Sequence, residues 1–373
     1  MRILSVNLGS SSLKLDLWTA GSPAPLTRVA ARGIGEQRGS VDVDGETADR
    51  PALGDHAAAL QALLPHLRDL ERVERIGHRV VHGGPHRRTT WVDDGLLQNL
   101  RELTPLSPVH LPPAIAVMEA CRERFPRIPQ AAVFDTAFHA GLPARAREYA
   151  VPAAWREGGI RRYGFHGIAC ADAVSALGDD LAPRTVLLHL GAGCSATALQ
   201  SGRSVDTTMG FTPLEGLTMA TRSGDVDPGV LVYMLRERGL DVEALDHALN
   251  RDSGLRGLSG YSDDMKTLLA DQQRPEAALA VEVFCYRAAK AVAALAVGLQ
   301  GLDQLVFTGG IGEHGAEVRE RIVGHLHWMG LELDDDANAA HGPVISTRAS
   351  RVSLRVVAVD EGREIARETA ALE

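Results

Sequence analysis

The chain has 373 residues, enough for about two domains at roughly 150 residues each. Apolar residues make up 45% and charged residues 23%, which predicts sizeable buried cores. The net charge of −9, with a pI near 5.9, gives no general electrostatic footprint for nucleic acid or for an anionic membrane surface.

Other classes fall away as quickly. The longest apolar stretch, AVAALAVGL at 291–299, is far shorter than the about 20 residues a membrane-spanning helix needs. The opening MRILSVNLGSSS turns polar too early for a secretory signal. Cys121, Cys170, Cys194 and Cys285 are scattered without a CxxC pair, so neither a disulfide frame nor a zinc knuckle is suggested. A cytoplasmic, two-domain globular protein is expected.

In chain order, RILSVNLGSSSLKLDLW (2–18) reads as a buried strand, a Gly-Ser turn and a returning strand. A helical pattern follows at 55–73, a strand at 75–84, a helix at 112–125 and a strand at 130–139. TVLLHLGAGCSATALQS (185–201) then repeats the opening hairpin, with Asn7 matching His189, Leu8 matching Leu190 and Gly9 matching Gly191. A long helix is predicted around 276–300, a strand at 302–310, a helix at 316–326, a short strand at 353–359 and a helix at 361–372. This alternation predicts an α/β protein with largely covered sheets, built from a duplicated domain, the two copies meeting across a cleft.

No Gly-Lys dipeptide occurs, so there is no Walker A loop, and HExxH and GxSxG are absent as well. GIGEHG at 310–315 satisfies GxGxxG, but too little chain follows it to complete a dinucleotide-binding sheet. The two Gly-Ser hairpins suit phosphate better, because a tight turn converges backbone N–H and hydroxyl donors on one spot. Lys14, two residues beyond Ser12, adds a cation there. Cys194, in the second turn, reads equally as a thiol of lowered pKa in an electropositive turn and as an inert buried thiol. Arg79 and Arg222, each taken singly, read more readily as surface ion pairs than as anion ligands. His78, His82 and His86 repeat at spacing four, but a strand running into a Gly-Gly turn does not hold metal-ligand geometry. Asp135, His139 and His166 end strands or sit in glycine loops, where active-site groups of α/β proteins gather.

Taken in order, NLGSSSLK, GHRVVHGG, SPVHLPP, FDTAFH, RRYGFHG, HLGAGCS, TPLEGLTMATRSGDVDPG and FTGGIGE resemble the acetate kinase family over nearly the whole chain. The resemblance implies two duplicated actin-like/ribonuclease H-like domains with an interdomain active-site cleft. Residues 1–140 plus 360–373 would form the N-terminal domain and 141–359 the nucleotide-binding domain. It also implies reversible, Mg²⁺-dependent (or Mn²⁺-dependent) transfer of a phosphoryl group from ATP to acetate, and a homodimer. Asn7 and Glu361 match positions around the metal. Ser10, Ser12 and Lys14 match the first phosphate hairpin, and His189, Gly191 and Gly193 the second. Arg79 and Arg222 match the arginines that embrace the acyl carboxylate and the moving phosphoryl group. Asp135 matches the catalytic aspartate, and His166 the histidine that donates to that phosphoryl group. His110, like His189, matches a cleft-lining histidine. Asp264, Lys266, Gly310 and Ile311 correspond to the adenosine pocket, and Val81, Val109, Phe165 and Pro213 to the acyl methyl pocket.

Five positions depart from the family pattern. Leu111, Ala192, Cys194, Ala220 and His314 stand where Asn, Asn, Ser, Gly and Asn are usual, and Val109 stands where Leu is common. None of the five removes a charged catalytic group. Val109 leaves slightly more room for a longer acid, so propionate or butyrate kinase is the nearest alternative. A pyrophosphate-dependent variant and a non-catalytic nucleotide-binding protein of actin-like or chaperone-like type are the remaining ones.

Overall fold

In a computed structural model describing residues 1–36 and 38–373, the opening hairpin forms as β1 (Arg2–Leu8) and β2 (Ser12–Thr19). Successive side chains of a strand point to opposite faces. Leu4, Val6, Leu8, Leu13, Leu15 and Leu17 therefore share one apolar core, while Ile3, Ser5, Asn7, Asp16 and Trp18 occupy the other face. Both faces are covered, which explains why β1 reads as a near-continuous apolar run.

The described residues divide into two units: 1–140 with 166–172 and 360–373, and 141–165 with 173–359. In the first, β3 (Thr27–Arg32), β4 (Ser40–Val43), β5 (Glu46–Asp49), β6 (Arg75–Val80), β7 (Thr90–Trp91) and β8 (Gln130–Phe134) complete a sheet of order β5-β4-β3-β2-β1-β6-β8-β7. β6 runs parallel to β1 and β8 parallel to β6, and the other pairs are antiparallel. Helices His56–Leu63 and Leu111–Arg124 close the leucine face, and the C-terminal helix Glu361–Ala371 packs on the other. Each buried Leu side chain contributes roughly 1.5–3 kcal/mol. The helix predicted over 55–73 stops at Leu63. Pro65 lacks the N–H that the next turn needs, and two short 3₁₀ turns replace it.

The second unit repeats this frame. Its sheet has the order β11-β10-β9-β12-β13, from β9 (Arg184–Leu190), β10 (Cys194–Gln200), β11 (Arg203–Thr207), β12 (Gln304–Thr308) and β13 (Ser353–Val356). β9 pairs antiparallel with β10 and parallel with β12, as β1 does with β2 and β6. The 25-residue helix Pro275–Leu299 covers β9 and β10, starting on a proline suited to a first turn and ending at Gln300 in the left-handed region. Two helices that the sequence pattern did not single out, Pro228–Glu237 and Val242–Arg251, contain no buried residue. No helix among the described residues is long and apolar enough to cross a membrane.

Candidate active site

β1, β6 and β8 are parallel neighbours, and their carboxyl ends bring Asn7, Arg79 and Asp135 to one edge of the first unit's sheet. Open α/β sheets bind ligands at such strand ends. Arg79 donates to Asp135 Oδ2 from Nε at 3.1 Å and from a terminal nitrogen at 2.8 Å, and its other terminal nitrogen donates to Asn7 Oδ1 at 3.3 Å. Glu361, first residue of the C-terminal helix, completes the cluster: Asn7 Nδ2 donates to its Oε2 at 2.7 Å, and Arg79 lies 3.6 Å from that oxygen.

Asp135 has no solvent exposure, and its Oδ1 lacks a hydrogen-bond partner. Burial pushes its carboxyl up to about 6; Arg79 opposes the rise and Glu361 adds to it. Burial works against the Arg79 charge, but Asp135 and Glu361 outweigh it and hold the guanidinium above its ordinary pKa.

His166 is joined to this cluster through the backbone. The Gly167 amide donates to the Asp135 carbonyl at 3.1 Å, an approach so close that a Cβ on residue 167 would collide with that oxygen. His166 itself adopts φ 58, a left-handed conformation uncommon for a side-chain-bearing residue, directly before helix Gly167–Leu177. His110 precedes helix Leu111–Arg124 with its Nδ1 3.5 Å from the Ser107 hydroxyl, while the adjacent Val109 is exposed and Val81 is buried at the end of β6. Ser10 and Lys14 are exposed and Ser12 is half-buried on the first hairpin.

The second unit presents a different kind of surface. His189 Nδ1 lies 3.1 Å from the Thr308 hydroxyl, and the Gly191 amide donates to the Gly193 carbonyl across the turn. The Ala220 amide donates to the Ala192 carbonyl at 3.1 Å, tying the turn to the loop that carries Arg222. Arg222 donates to the Pro213 carbonyl at 3.2 Å. The Tyr163 and Gly164 amides both bond the Gly210 carbonyl, which sets fully buried Phe165 beside the Pro213 loop. Sequence reasoning missed what stiffens that loop: Arg162 donates to Glu215 at 2.6 Å, and the Tyr149 hydroxyl donates to Glu215 and accepts from the Phe211 amide. Glu215 stands inside the quoted TPLEG motif, so a signal was present.

Gly310 and Ile311 lie in the short helix Gly309–His314, at whose start Glu313 accepts from the Gly309 amide. The GxGxxG match is thus mostly this helix. Asp264 caps helix Met265–Ala270 by accepting from Thr267, contacts that hold its carboxyl below the usual range, and Lys266 is exposed.

Cys194 is the inert buried thiol of its two readings, not the reactive one. Its Sγ is buried and donates to the Gly191 carbonyl at 3.2 Å, and burial pushes the thiol up to about 12. The register explains why. Leu8 pairs with Leu13 across four turn residues, whereas Leu190 pairs with Cys194 across three. Cys194 therefore occupies the core position of Leu13, not a place in the turn.

The model of the acetokinase family matches residues 2–367. The acetate kinase of Pseudomonas aeruginosa is 43% identical over 398 residues, covering 99% of this chain and 98% of that protein. The chain belongs to the acetokinase family. It is accordingly an enzyme, a phosphotransferase with a carboxyl acceptor. Among solved members, a propionate kinase from Francisella tularensis superposes with a TM-score of 0.94 at 36% identity, covering 100% of both chains. The acetate kinase of Porphyromonas gingivalis gives 0.90 at 32% identity, covering 99% of this chain and 98% of that one. The acetokinase fold thus accounts for the two mixed sheets described above.

Proposed function

We propose that this enzyme is an acetate kinase that transfers the terminal phosphoryl group of ATP to acetate by direct in-line displacement, and that the reaction runs in both directions. The observation that carries this reading is the Asn7–Arg79–Asp135–Glu361 cluster, a fixed guanidinium among oxygen ligands at the strand ends. Acetate is ionised at pH 7, so its attack needs no general base. The obstacle is the repulsion between two anions, and positioning plus charge neutralisation removes it. In this reading Arg79 and Arg222 hold carboxylate and phosphoryl oxygens with their planar donor forks. Asp135 fixes the orientation of Arg79, and His166 donates to the phosphoryl group in transit.

Asn7 and Glu361 would hold Mg²⁺ or Mn²⁺. Their hard oxygens, with the buried Asp135 carboxylate held to the same cluster through Arg79, fit a cation that keeps several waters and takes few carboxylates. When bound, that ion neutralises phosphate charge. Ser10, Ser12 and Lys14, with His189, Gly191 and Gly193, would cradle the phosphates, and Gly310, Ile311, Asp264 and Lys266 the adenosine. Val81, Val109, Phe165 and Pro213 would bound the acyl methyl group, with His110 beside them.

A hydroxylamine trap with ATP and Mg²⁺ tests this reading. Acetyl hydroxamate is the expected product, and its absence from a folded, ATP-binding protein overturns the reading. Propionate is the second acid to try, given the small Val109 and the propionate kinase relative. One methylene is worth about 1–3 kcal/mol of discrimination.

Helix Pro228–Glu237 supports a homodimer. It buries nothing, and its Val230, Val232, Tyr233 and Leu235 are 37–47% exposed, apolar surface on two sides of the helix that a second copy of the chain would cover. Sedimentation should give twice the monomer mass of 39.8 kDa. A cytoplasmic location accords with this chemistry.

A further inference from the structure

Helix Glu361–Ala371 begins with the residue assigned above to the metal, so whatever sets its first turn sets that ligand. Asp360 is its N-cap, accepting at Oδ1 from the Gly362 amide at 3.0 Å and the Arg363 amide at 3.3 Å. The other oxygen of Asp360 is held by Arg28 at 2.5 Å. Arg28 lies on β3 directly opposite Asp16 on β2, and its Nε donates to Asp16 Oδ1 at 3.1 Å. Asp16 is almost fully buried, and the missing side chain of Gly362 is what admits its carboxylate against the helix start. From another side, buried Asp172 accepts from the Asp360 amide at 2.8 Å and pairs through both oxygens with Arg363. The helix start is therefore gripped from two directions, and Arg28 is the cation between the two carboxylates of one grip.

We propose that Arg28 is a positioning residue for the metal site. By bridging Asp16 and Asp360 it fixes the first turn of the C-terminal helix, and so holds the Glu361 carboxylate where Asn7 and Arg79 meet it. Arg28 touches neither substrate nor metal. A helix cap with its own ion pair has one preferred orientation. Without the guanidinium, Asp360 loses the partner that holds its second oxygen to β3, and the cap is free to turn.

This inference rests on the assignment of Glu361 to the metal, and the test separates the two. Binding of Mn²⁺ to the enzyme–ADP complex is measured by electron paramagnetic resonance for wild type, Arg28→Met, Arg28→Lys, Asp360→Asn and Glu361→Gln. Arg28→Met should weaken Mn²⁺ about tenfold, the scale seen when groups that orient metal ligands are removed. Its KM for Mg²⁺ should rise in parallel, while KM for acetate stays within about twofold. Arg28→Lys should recover part of the loss, since one ammonium meets one carboxylate where the fork meets two. Asp360→Asn keeps a capping oxygen but loses the ion pair, and should reproduce Arg28→Met; it decides the matter if Arg28→Met does not fold. Wild-type Mn²⁺ affinity in Arg28→Met or in folded Asp360→Asn, with weakened binding in Glu361→Gln, overturns the positioning role alone. Unchanged affinity in Glu361→Gln overturns the metal assignment beneath it.

Discussion

The two units share one strand plan and carry different side chains on it. In the second, His189 pairs with Ser195 across the hairpin and with Thr308 on the parallel neighbour. The matching positions of the first unit are Asn7, Lys14 and, one step beyond the last paired residues of β1 and β6, Arg79. Duplication kept the backbone frame while the charges gathered in one copy. The strand ends of the first unit carry ion-paired side chains, whereas the second unit presents turn amides, small residues and a loop held by backbone bonds and by the Glu215 contacts of Arg162 and Tyr149. A charge cluster needs several elements to meet, whereas a turn amide needs only its own hairpin.

The largest expected effect breaks the charged half. Arg79→Ala should lower kcat by about 10²–10³-fold or more. It also leaves buried Asp135 without its cation, which costs about 3–5 kcal/mol. Calorimetry alongside turnover checks both, and an undiminished melting temperature would show that the ion pair does not brace this half. Arg222→Ala should lose comparable turnover while the protein stays folded. A folded variant of either arginine within about threefold of wild type removes that residue from the site.

The next effect concerns pH. His78, buried beside Arg79 with its Nε2 2.7 Å from Gln130 Oε1, is lowered by burial to about 4 from the model-peptide value of 6.5. Between those values the unfolded chain binds more protons, so stability falls as pH drops from 6.5 towards 4. The loss is about 3 kcal/mol. Asp16, pushed up to about 6 by burial against the pull of Arg28, acts with opposite sign over nearly the same range. Wild-type stability alone therefore conceals the histidine. The difference between wild type and His78→Gln, from urea unfolding at pH 7 and pH 4.5, exposes it. A pH-independent difference removes the histidine from this account.

Smaller changes sharpen the backbone half. Ala192→Asn restores a side-chain donor to the second turn. It should lower KM for ATP by about three- to tenfold, the worth of one net hydrogen bond. No change would mean that the turn amides alone hold the phosphate. Smallest is Cys194→Ser, expected within about twofold of wild-type activity because either side chain can donate to the Gly191 carbonyl. Iodoacetamide should label Cys194 only after unfolding; labelling of the native enzyme would contradict its place in the core.

The fold was legible where burial is periodic or continuous, as in the two hairpins and the helices 275–299 and 316–326. It was illegible where burial says little: helices 228–237 and 242–251 bury nothing, and strands β3–β5 are short and partly exposed. The cysteine stood between two readings because a turn one residue shorter shifts the register, and one residue moves a side chain to the other face. Arg79 and Asp135 were singled out from their motifs and Asn7 and Glu361 from family likeness, and the structure brings these four side chains together. The Asp16–Arg28–Asp360 grip was not, since Arg28 and Asp360 are 332 positions apart and neither belongs to a recognisable pattern.

The hydrogen bond between Asn7 and Glu361 spans 354 positions. On a ribosome adding about 5–20 residues per second, Asn7 waits roughly 20–70 s for its partner. The unit that begins the chain is thus the one finished last. Throughout that wait, the face of β1 and β2 that the final helix will cover, with Ile3 and Trp18, stays open to other contacts. Catalytic competence should arrive as a late step in synthesis, after the interrupted second unit has had time to fold.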